Sequence, residues 1–294
     1  MDILQFTHLD MDSKKIFDDF LTPYPFIAST YSFTNLYIWR NSQQIKYHFD
    51  DDALYIQKGN LIPYLIPPVI KNGSDPKSAY EKILSYLEAN GMPKVLKDAT
   101  KEQVEFIRSL GYNIEAESDR DNAEYIYTVE KMRSFSGKAL HSKKNHFNNF
   151  IRYNAYDIRY IESSQDECIA LAEKWYEESD KSPALTNELE GIKALIHNQK
   201  FFNIVGIAVF VDKVCQGFSL LEILNENVIL NHIEKAEKSI SGLYAFLAKT
   251  SMEYFGEGVR YTNREQDMGI PGLRKSKESY IPEFLEEKFI IRFI

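Results

Sequence analysis

The sequence predicts an α/β protein built as two tandem halves, each a central mixed, mostly antiparallel sheet flanked by helices. Three observations predict it. The chain has 294 residues, about twice an ordinary domain. Short runs of alternating apolar and polar residues, bounded by turn residues, are interleaved with stretches of helical periodicity. The order of these elements is the same in the first and second halves, although no residue-level repeat is visible.

The first half opens with a helix over 12–20, which Pro23 and Pro25 stop. The aromatic stretch 31–40 has no clear period. Three alternating runs follow, 44–49, 53–58 and 61–66, separated by Asp50-Asp51-Asp52 and Gly59-Asn60; they read as an antiparallel meander. Asp75-Pro76 starts a helix that Gly91 ends. A strand near Val95 comes next, then a helix opened by the capping box Thr100-x-x-Gln103 and closed by Gly111. A strand covers 124–129. In the second half, strand 156–162 leads to helices 165–178 and 187–197, then to strands 201–211, 216–224 and 227–234. Ile240, Leu243, Tyr244, Leu247 and Met252 give 239–255 a helical period that Gly256 and Gly258 end. Strand 259–262, a helix over 271–279 and strand 287–293 complete the order. The join falls near 131–154, which sets the domains at 1–133 and 134–294.

Composition narrows the function classes. Hydrophobic residues are 44% and charged residues 27%, which suits a folded core and not a disordered chain. Asp and Glu outnumber Lys and Arg by 43 to 35, a net charge of −8, so the chain as a whole does not coat nucleic acid. Two cysteines, Cys168 and Cys215, exclude a disulfide framework and a cysteine-rich zinc site. The longest apolar run, 204–211, falls far short of the roughly 20 residues that span a bilayer. The N-terminus, Met-Asp-Ile-Leu-Gln, has no basic or apolar leader region. No transmembrane segment and a cytoplasmic location are therefore expected.

Two segments carry candidate chemistry. Residues 131–156 contain Lys131, Arg133, Lys138, Lys143, Lys144 and Arg152, with His141 and His146, and no acid. A helix over 139–153 would carry Leu140, Phe147 and Ile151 on one face and Lys143, Phe150 and Asn154 beside it. Its cations would suit phosphates or a tRNA acceptor end; the alternative is a solvated helix between the halves. The second segment, 263–277, contains Asn263, Arg264, Glu265, Asp267, Arg274, Lys275 and Lys277. It leaves a strand and enters a helix, the place where open α/β sheets bind ligands. So many polar groups must pair or line a pocket, and Glu265 and Asp267 are expected to meet cations from 138–152. His232, alternating with Glu234 on one strand, reads as a base or as a packed strand histidine. HExxH, Walker A, GxGxxG and Ser-elbow motifs are all missing from the sequence.

Three stretches carry a family resemblance: Asp-Arg-Asp-Asn-Ala-Glu-Tyr-Ile-Tyr through Gly-Lys-Ala-Leu-His-Ser-Lys-Lys-Asn-His-Phe-Asn-Asn-Phe within 119–153, Asn-Arg-Glu-Gln-Asp-Met-Gly-Ile-Pro-Gly-Leu-Arg-Lys-Ser-Lys-Glu-Ser-Tyr-Ile-Pro at 263–282, and Tyr-Ser-Phe-Thr-Asn-Leu-Tyr-Ile-Trp-Arg at 31–40. Over nearly the whole chain they resemble a bacterial family grouped with the C-terminal catalytic domain of phosphatidylglycerol lysyltransferase. The resemblance implies two tandem GNAT (acyl-CoA N-acyltransferase) domains. It also implies an aminoacyl or acyl transferase that takes its group from aminoacyl-tRNA or an acyl thioester such as acyl-CoA. The acceptor would be an amine or hydroxyl on a small molecule, peptide or lipid headgroup. Arg274, Lys275 and Lys277 carry over as donor or phosphate contacts. Lys138, His141, Lys143, Lys144, His146, Asn263, Arg264, Glu265 and Asp267 complete the expected substrate site. Glu222 or Glu234 would deprotonate the acceptor, and a backbone N–H from a splayed strand near 218–222 would face the oxyanion. Two departures stand out: the multi-pass membrane region of the lysyltransferases is missing, and the pyrophosphate loop expected at 235–242 has one glycine in place. A non-catalytic GNAT-derived module that holds an anionic ligand or RNA end is the alternative. No metal is expected, and the sequence leaves the donor, the acceptor and the oligomeric state open.

Overall fold

The computed structural model describes residues 4–294. The first three residues, on which the expectation of no leader partly rests, lie outside them. The described residues fall into two units: one of 4–26, 30–123 and 286–294, the other of 27–29 and 124–285. No helix among them is long and apolar enough to cross a membrane.

The first unit is built on one sheet, in the order Thr7–His8, Lys46–Phe49, Ala53–Lys58, Tyr64–Leu65, Val95–Ala99, Phe289–Phe293, Ile114–Ser118, with Val69–Ile70 added beside Ala53–Lys58. Its pairs are antiparallel except Leu65↔Leu96. The helix Pro76–Ala89 makes that parallel crossover and drives Ala79, Tyr80, Ile83 and Leu87 into the core. Ile83 and Leu87 each contribute about 1.5–3 kcal/mol on burial. Asp75 caps this helix through the Lys77 N–H, with Pro76 in its first turn. The capping box at Thr100 and Gln103 forms as the sequence requires. The stretch without a clear period is a helix, Phe33–Trp39, capped by Ser32 and buried on nearly every side; a helix buried all round loses the one-sided period.

The second unit repeats the plan. Its sheet runs Phe284–Glu286, Glu124–Thr128, Tyr261–Gln266, Val228–Ala236, Val214–Asn225, Ile204–Val211, Tyr156–Tyr160. Leu243–Phe255 makes the parallel crossover from Val228–Ala236 to Tyr261–Gln266.

Strand membership crosses the expected 133/134 join twice. Glu124–Thr128 pairs in the second sheet, and Phe289–Phe293 enters the first, between Val95–Ala99 and Ile114–Ser118. Each half of the chain thus supplies a strand to the other sheet. Alternation marks a strand but does not name its neighbour.

The basic helix is a 3-10 turn, Lys138–Leu140, followed by His141–Tyr153. Its buried residue is Phe150, whereas Ile151 is exposed. The inward face draws on both stripes: Leu140 is buried, Phe147 stacks on Phe246 at 5.5 Å and Phe150 seats against the same ring at 4.4 Å.

Candidate functional site

The second sheet opens at its one parallel pairing. Val228–Ala236 and Tyr261–Gln266 are in register only at Val228↔Tyr261, Ile229↔Thr262 and Leu230↔Asn263. Each strand then carries an extra residue. Opposite Val214–Asn225, the register jumps from Leu221↔Asn231 to Leu220↔Ile233, leaving His232 unmatched. Opposite Glu124–Thr128 it jumps from Asn263↔Ile126 to Gln266↔Glu124. Glu265 there takes a left-handed φ of 57°. Bulges re-aim side chains and end pairing; where the backbone pairing ends, the side-chain pairs His232–Glu265 and Glu234–Arg264 join the two strands instead.

The opening is lined by paired ions. His232 sits between two carboxylates, Nδ1 at 2.8 Å from Glu265 and Nε2 at 2.8 Å from Glu222. Burial pushes the imidazole pKa down, but the two carboxylates outweigh it and raise the value to about 9. Carboxylates only accept, so both ring nitrogens donate, which leaves His232 no free nitrogen to take a proton from an acceptor. Arg264 Nη2 donates to Glu234 Oε1 at 2.8 Å, and Asn231 Nδ2 donates to Glu234 Oε2 at 3.1 Å. One carboxylate therefore holds an arginine and an amide. Burial opposes the Arg264 charge, but Glu234 more than restores it.

Two atoms in this group are buried with no hydrogen-bond partner: Arg264 Nη1, a donor, and Asn231 Oδ1, an acceptor. The amide orientation is chemically forced, because a carboxylate accepts only and must face Nδ2. An unpaired buried polar atom costs about 1–3 kcal/mol, a cost that a group bonding either atom would remove. Lys143 reaches the same group. Its Nζ lies 3.9 Å from the Tyr280 ring centre, and Arg264 stacks on that ring at 4.8 Å. Burial, then the Arg264 charge, lowers the Lys143 pKa to about 8.

The remaining expected residues divide into structural and exposed groups. Asp267 is bonded to the neighbouring strand and to the helix that follows it. It accepts from Tyr125 Oη at 2.6 Å and from Arg274 Nε and Nη2 at 2.8 Å each. Burial opposes its charge, but Arg274 and Tyr125 hold the carboxyl far below the usual range. Glu265 bonds His232 on the neighbouring strand, because the bulge turns it toward that strand. Asn263 bonds the Ile27 carbonyl at 2.9 Å and Glu124, which also holds Ser29. Lys277 donates to the carbonyls of Arg264, Glu265 and Gln266 at 2.5–3.1 Å, tying down the bulge. Arg274 and Lys277 are therefore framework residues, and Lys275 is exposed. Glu222 is buried as an anchor of His232. The strand near 218–222 is paired on both edges, so its backbone does not face the opening; the splay lies one strand farther along. Lys138, His141 and Lys144, with Asn145 and Asn148, line a shallow groove of about 430 Å³. His146 is exposed, and its carbonyl meets Gly242. His232 and Asn231 were the signals to weigh more: polar residues spaced along an otherwise apolar central strand.

Residues 22–292 match the family described as phosphatidylglycerol lysyltransferase, C-terminal. The chain belongs to this family. An uncharacterised protein of Mycoplasmoides gallisepticum is 26% identical over 206 residues, 68% of this chain and 65% of that protein's length. A conserved protein of unknown function from Bacteroides thetaiotaomicron superposes with a TM-score of 0.90 at 24% identity, over 99% of this chain and 100% of that one. The C-terminal domain of a proposed lysylphosphatidylglycerol synthetase from Agrobacterium fabrum gives 0.69 at 10% identity, over 96% and 91%. A tandem GNAT protein from the clavulanic acid biosynthesis pathway gives 0.52 at 7% identity, over 99% and 98%. The fold is accordingly a tandem GNAT-like one.

That fold raises the question of coenzyme A, and the residues at 235–242 do not fit its pyrophosphate. Lys235 is bonded to Glu188 at 2.7 Å and lies over the Trp175 ring. The Glu237 carboxylate occupies the turn, paired with Lys174 and near the Ser239 N–H. The backbone of Gly242 is covered by the His146 carbonyl, which a Cβ there would approach to 2.1 Å. A pyrophosphate needs free N–H groups and no carboxylate in that turn.

Proposed function

We propose that the second unit transfers an aminoacyl group from an aminoacyl-tRNA to a hydroxyl or amine acceptor. The observation that carries this reading is the pair of buried, unbonded atoms on either side of Glu234, Arg264 Nη1 and Asn231 Oδ1. An α-aminoacyl ester presents a carbonyl oxygen for the first and an α-ammonium for the second. A plain acyl group has no donor for Asn231. The misfit of the 235–242 turn to pyrophosphate and the membership in the lysyltransferase family support the same reading.

In this mechanism Arg264 Nη1 bonds the ester carbonyl and strengthens that bond as the oxygen becomes anionic. Glu234 holds Arg264 and Asn231 in place, and His232 braces Glu222 and Glu265 across the splay. Lys143, with its depressed pKa, takes the proton of the acceptor as its oxygen or nitrogen attacks the carbonyl carbon. The tetrahedral intermediate collapses, the ester C–O bond breaks, and the departing ribose hydroxyl takes the proton from the Lys143 ammonium. Glu222 and Glu234, expected as bases, act in this reading as positioning residues. Lys138, His141 and Lys144 contact phosphates of the tRNA end.

The test is to incubate the protein with a pool of charged tRNAs and, separately, with acetyl-CoA. The expected result is loss of amino acid from the tRNA pool, with acetyl-CoA untouched. Replacing Lys138 and Lys144 together by Ala should weaken tRNA binding while stability moves by no more than about 0.5 kcal/mol. Deacylation of acetyl-CoA alone would overturn the assignment.

A further inference from the structure

Tyr156–Tyr160 ends the sheet of the second unit. All five of its residues pair with Ile204–Val211, from Tyr156↔Val211 to Tyr160↔Ile207, without a shift of register. Its other edge pairs with no strand among the described residues. Such an edge presents a row of backbone donors and acceptors that another strand can complete, and proteins commonly blunt it with a proline or a bulge. This edge has neither. We propose that it joins two copies of this chain, which pair through it as antiparallel strands around a twofold axis at Ile158.

The order of residues argues for a second copy as the occupant. Antiparallel pairing centred on Ile158 sets Asp157 of each copy opposite Arg159 of the other, sets Tyr156 opposite Tyr160, and sets Ile158 opposite itself. Opposite charges and aromatic pairs directly across two strands are favourable. The residues of each pair are identical or an even number of positions apart, so both present their backbone groups on the same edge and can bond. The charges are available for this. Within one copy Arg159 Nε donates to Asp157 Oδ2 at 2.8 Å, and both side chains remain open to solvent. Two such pairs face to face make a square of alternating sign. On the opposite face of the strand, Tyr156 and Tyr160 are 39% and 54% exposed, and Tyr160 stands edge-on to the exposed Tyr254 at 5.8 Å. Exposed tyrosines beside an open edge are the kind of surface that interfaces cover. The other sheet supplies the contrast. Ile114–Ser118 also ends its sheet and is also five residues long. The same pairing there would set Glu115 opposite Glu117 of the second copy, a like-charge contact that opposes association. One edge is self-complementary and the other repels itself.

Sedimentation velocity of the full chain between about 1 and 100 μM tests the proposal. The expected result is a reversible monomer–dimer equilibrium, with amides of 156–160 gaining hydrogen-exchange protection as the dimer fills. Two charge reversals identify the contact. Asp157→Arg sets arginine against arginine across the axis, and Arg159→Asp sets aspartate against aspartate. Each variant alone should dimerise at least about tenfold more weakly than the native chain. Mixed in equal amounts, the two should associate again, because every cross-strand charge pair is then of opposite sign. Both variants have lost the internal Asp157–Arg159 pair, so that pair does not account for recovery on mixing. Circular dichroism and thermal melts of each variant alone verify its fold. A native chain that stays monomeric through this range overturns the proposal. So does a dimer that neither variant weakens, or a pair of folded variants that do not associate on mixing. If a variant folds poorly, exchange in the native chain decides: a dimer whose 156–160 amides gain no protection overturns the proposal equally. None of these outcomes bears on the transfer reaction.

Discussion

At the scale of single residues, the site is an arrangement of charges held by neighbours, and His232 is its most exacting member. Its side chain is fully buried, with a carboxylate on each nitrogen. The folded pKa of about 9 lies above the ordinary 6.5. A raised pKa means that its stabilisation is complete below about pH 6.5 and is lost as the pH climbs toward 9. Melting temperature should therefore fall between pH 6.5 and 9 in the native protein, and this decline should flatten in His232→Gln. Removing the ring takes one charged partner from both Glu222 and Glu265, so that variant should lose stability near neutral pH, by about 1.5–3 kcal/mol for each hydrogen bond to a charged group. A native protein whose stability is level across this range, by thermal melts in matched buffers, would show that the histidine is neutral. The sequence showed His232 and Glu234 on one strand, but not the two bulges that turn them toward Glu265 and Arg264. A bulge depends on how many residues the partner strand supplies, which no local pattern states.

At the scale of elements, the basic helix and the crossover helix form one assembly. Gly242 precedes Leu243–Phe255 with φ 85°, and a Cβ there would lie 2.1 Å from the His146 carbonyl. Both the left-handed backbone and the close approach require glycine. Gly242→Ala should lose more than about 1 kcal/mol from backbone strain alone, with further loss from the forced separation of the helices. Urea unfolding would measure it, and a cost under about 0.5 kcal/mol would mean that the helices are not locked together there. Capped helices such as Lys101–Ser109 were legible because their signals are local: Thr100 and Gln103 are three residues apart and bond each other. The inward face of His141–Tyr153 was not. Phe147, Phe150 and Ile151 are all apolar, and the position of Phe246 selects Phe147 and Phe150 and leaves Ile151 in solvent.

At the scale of the whole molecule, two GNAT-like sheets are completed by an exchange of strands. Element order foretold two similar halves, because periodicity and turn residues record it. The exchange was illegible, since Glu124–Thr128 and Phe289–Phe293 read as strands whichever sheet they join. Deleting residues 289–294 should remove hydrogen-exchange protection from Val95–Ala99 and Ile114–Ser118, which that strand joins. Protection lost only near the new C-terminus would contradict the pairing. The function assigned to this fold rests on recognition of an aminoacyl ester by the two unbonded atoms beside Glu234. The measurement that tests it most directly compares kcat/KM for aminoacyl-tRNA with that for the same tRNA carrying the deaminated acyl group, in which hydrogen replaces the α-amino group, in the native protein and in Asn231→Leu. The account predicts a native preference for the free amine of about 5–150-fold, the equivalent of one buried polar group left unpaired, and its loss in Asn231→Leu. Equal transfer of both esters by the native protein would contradict it.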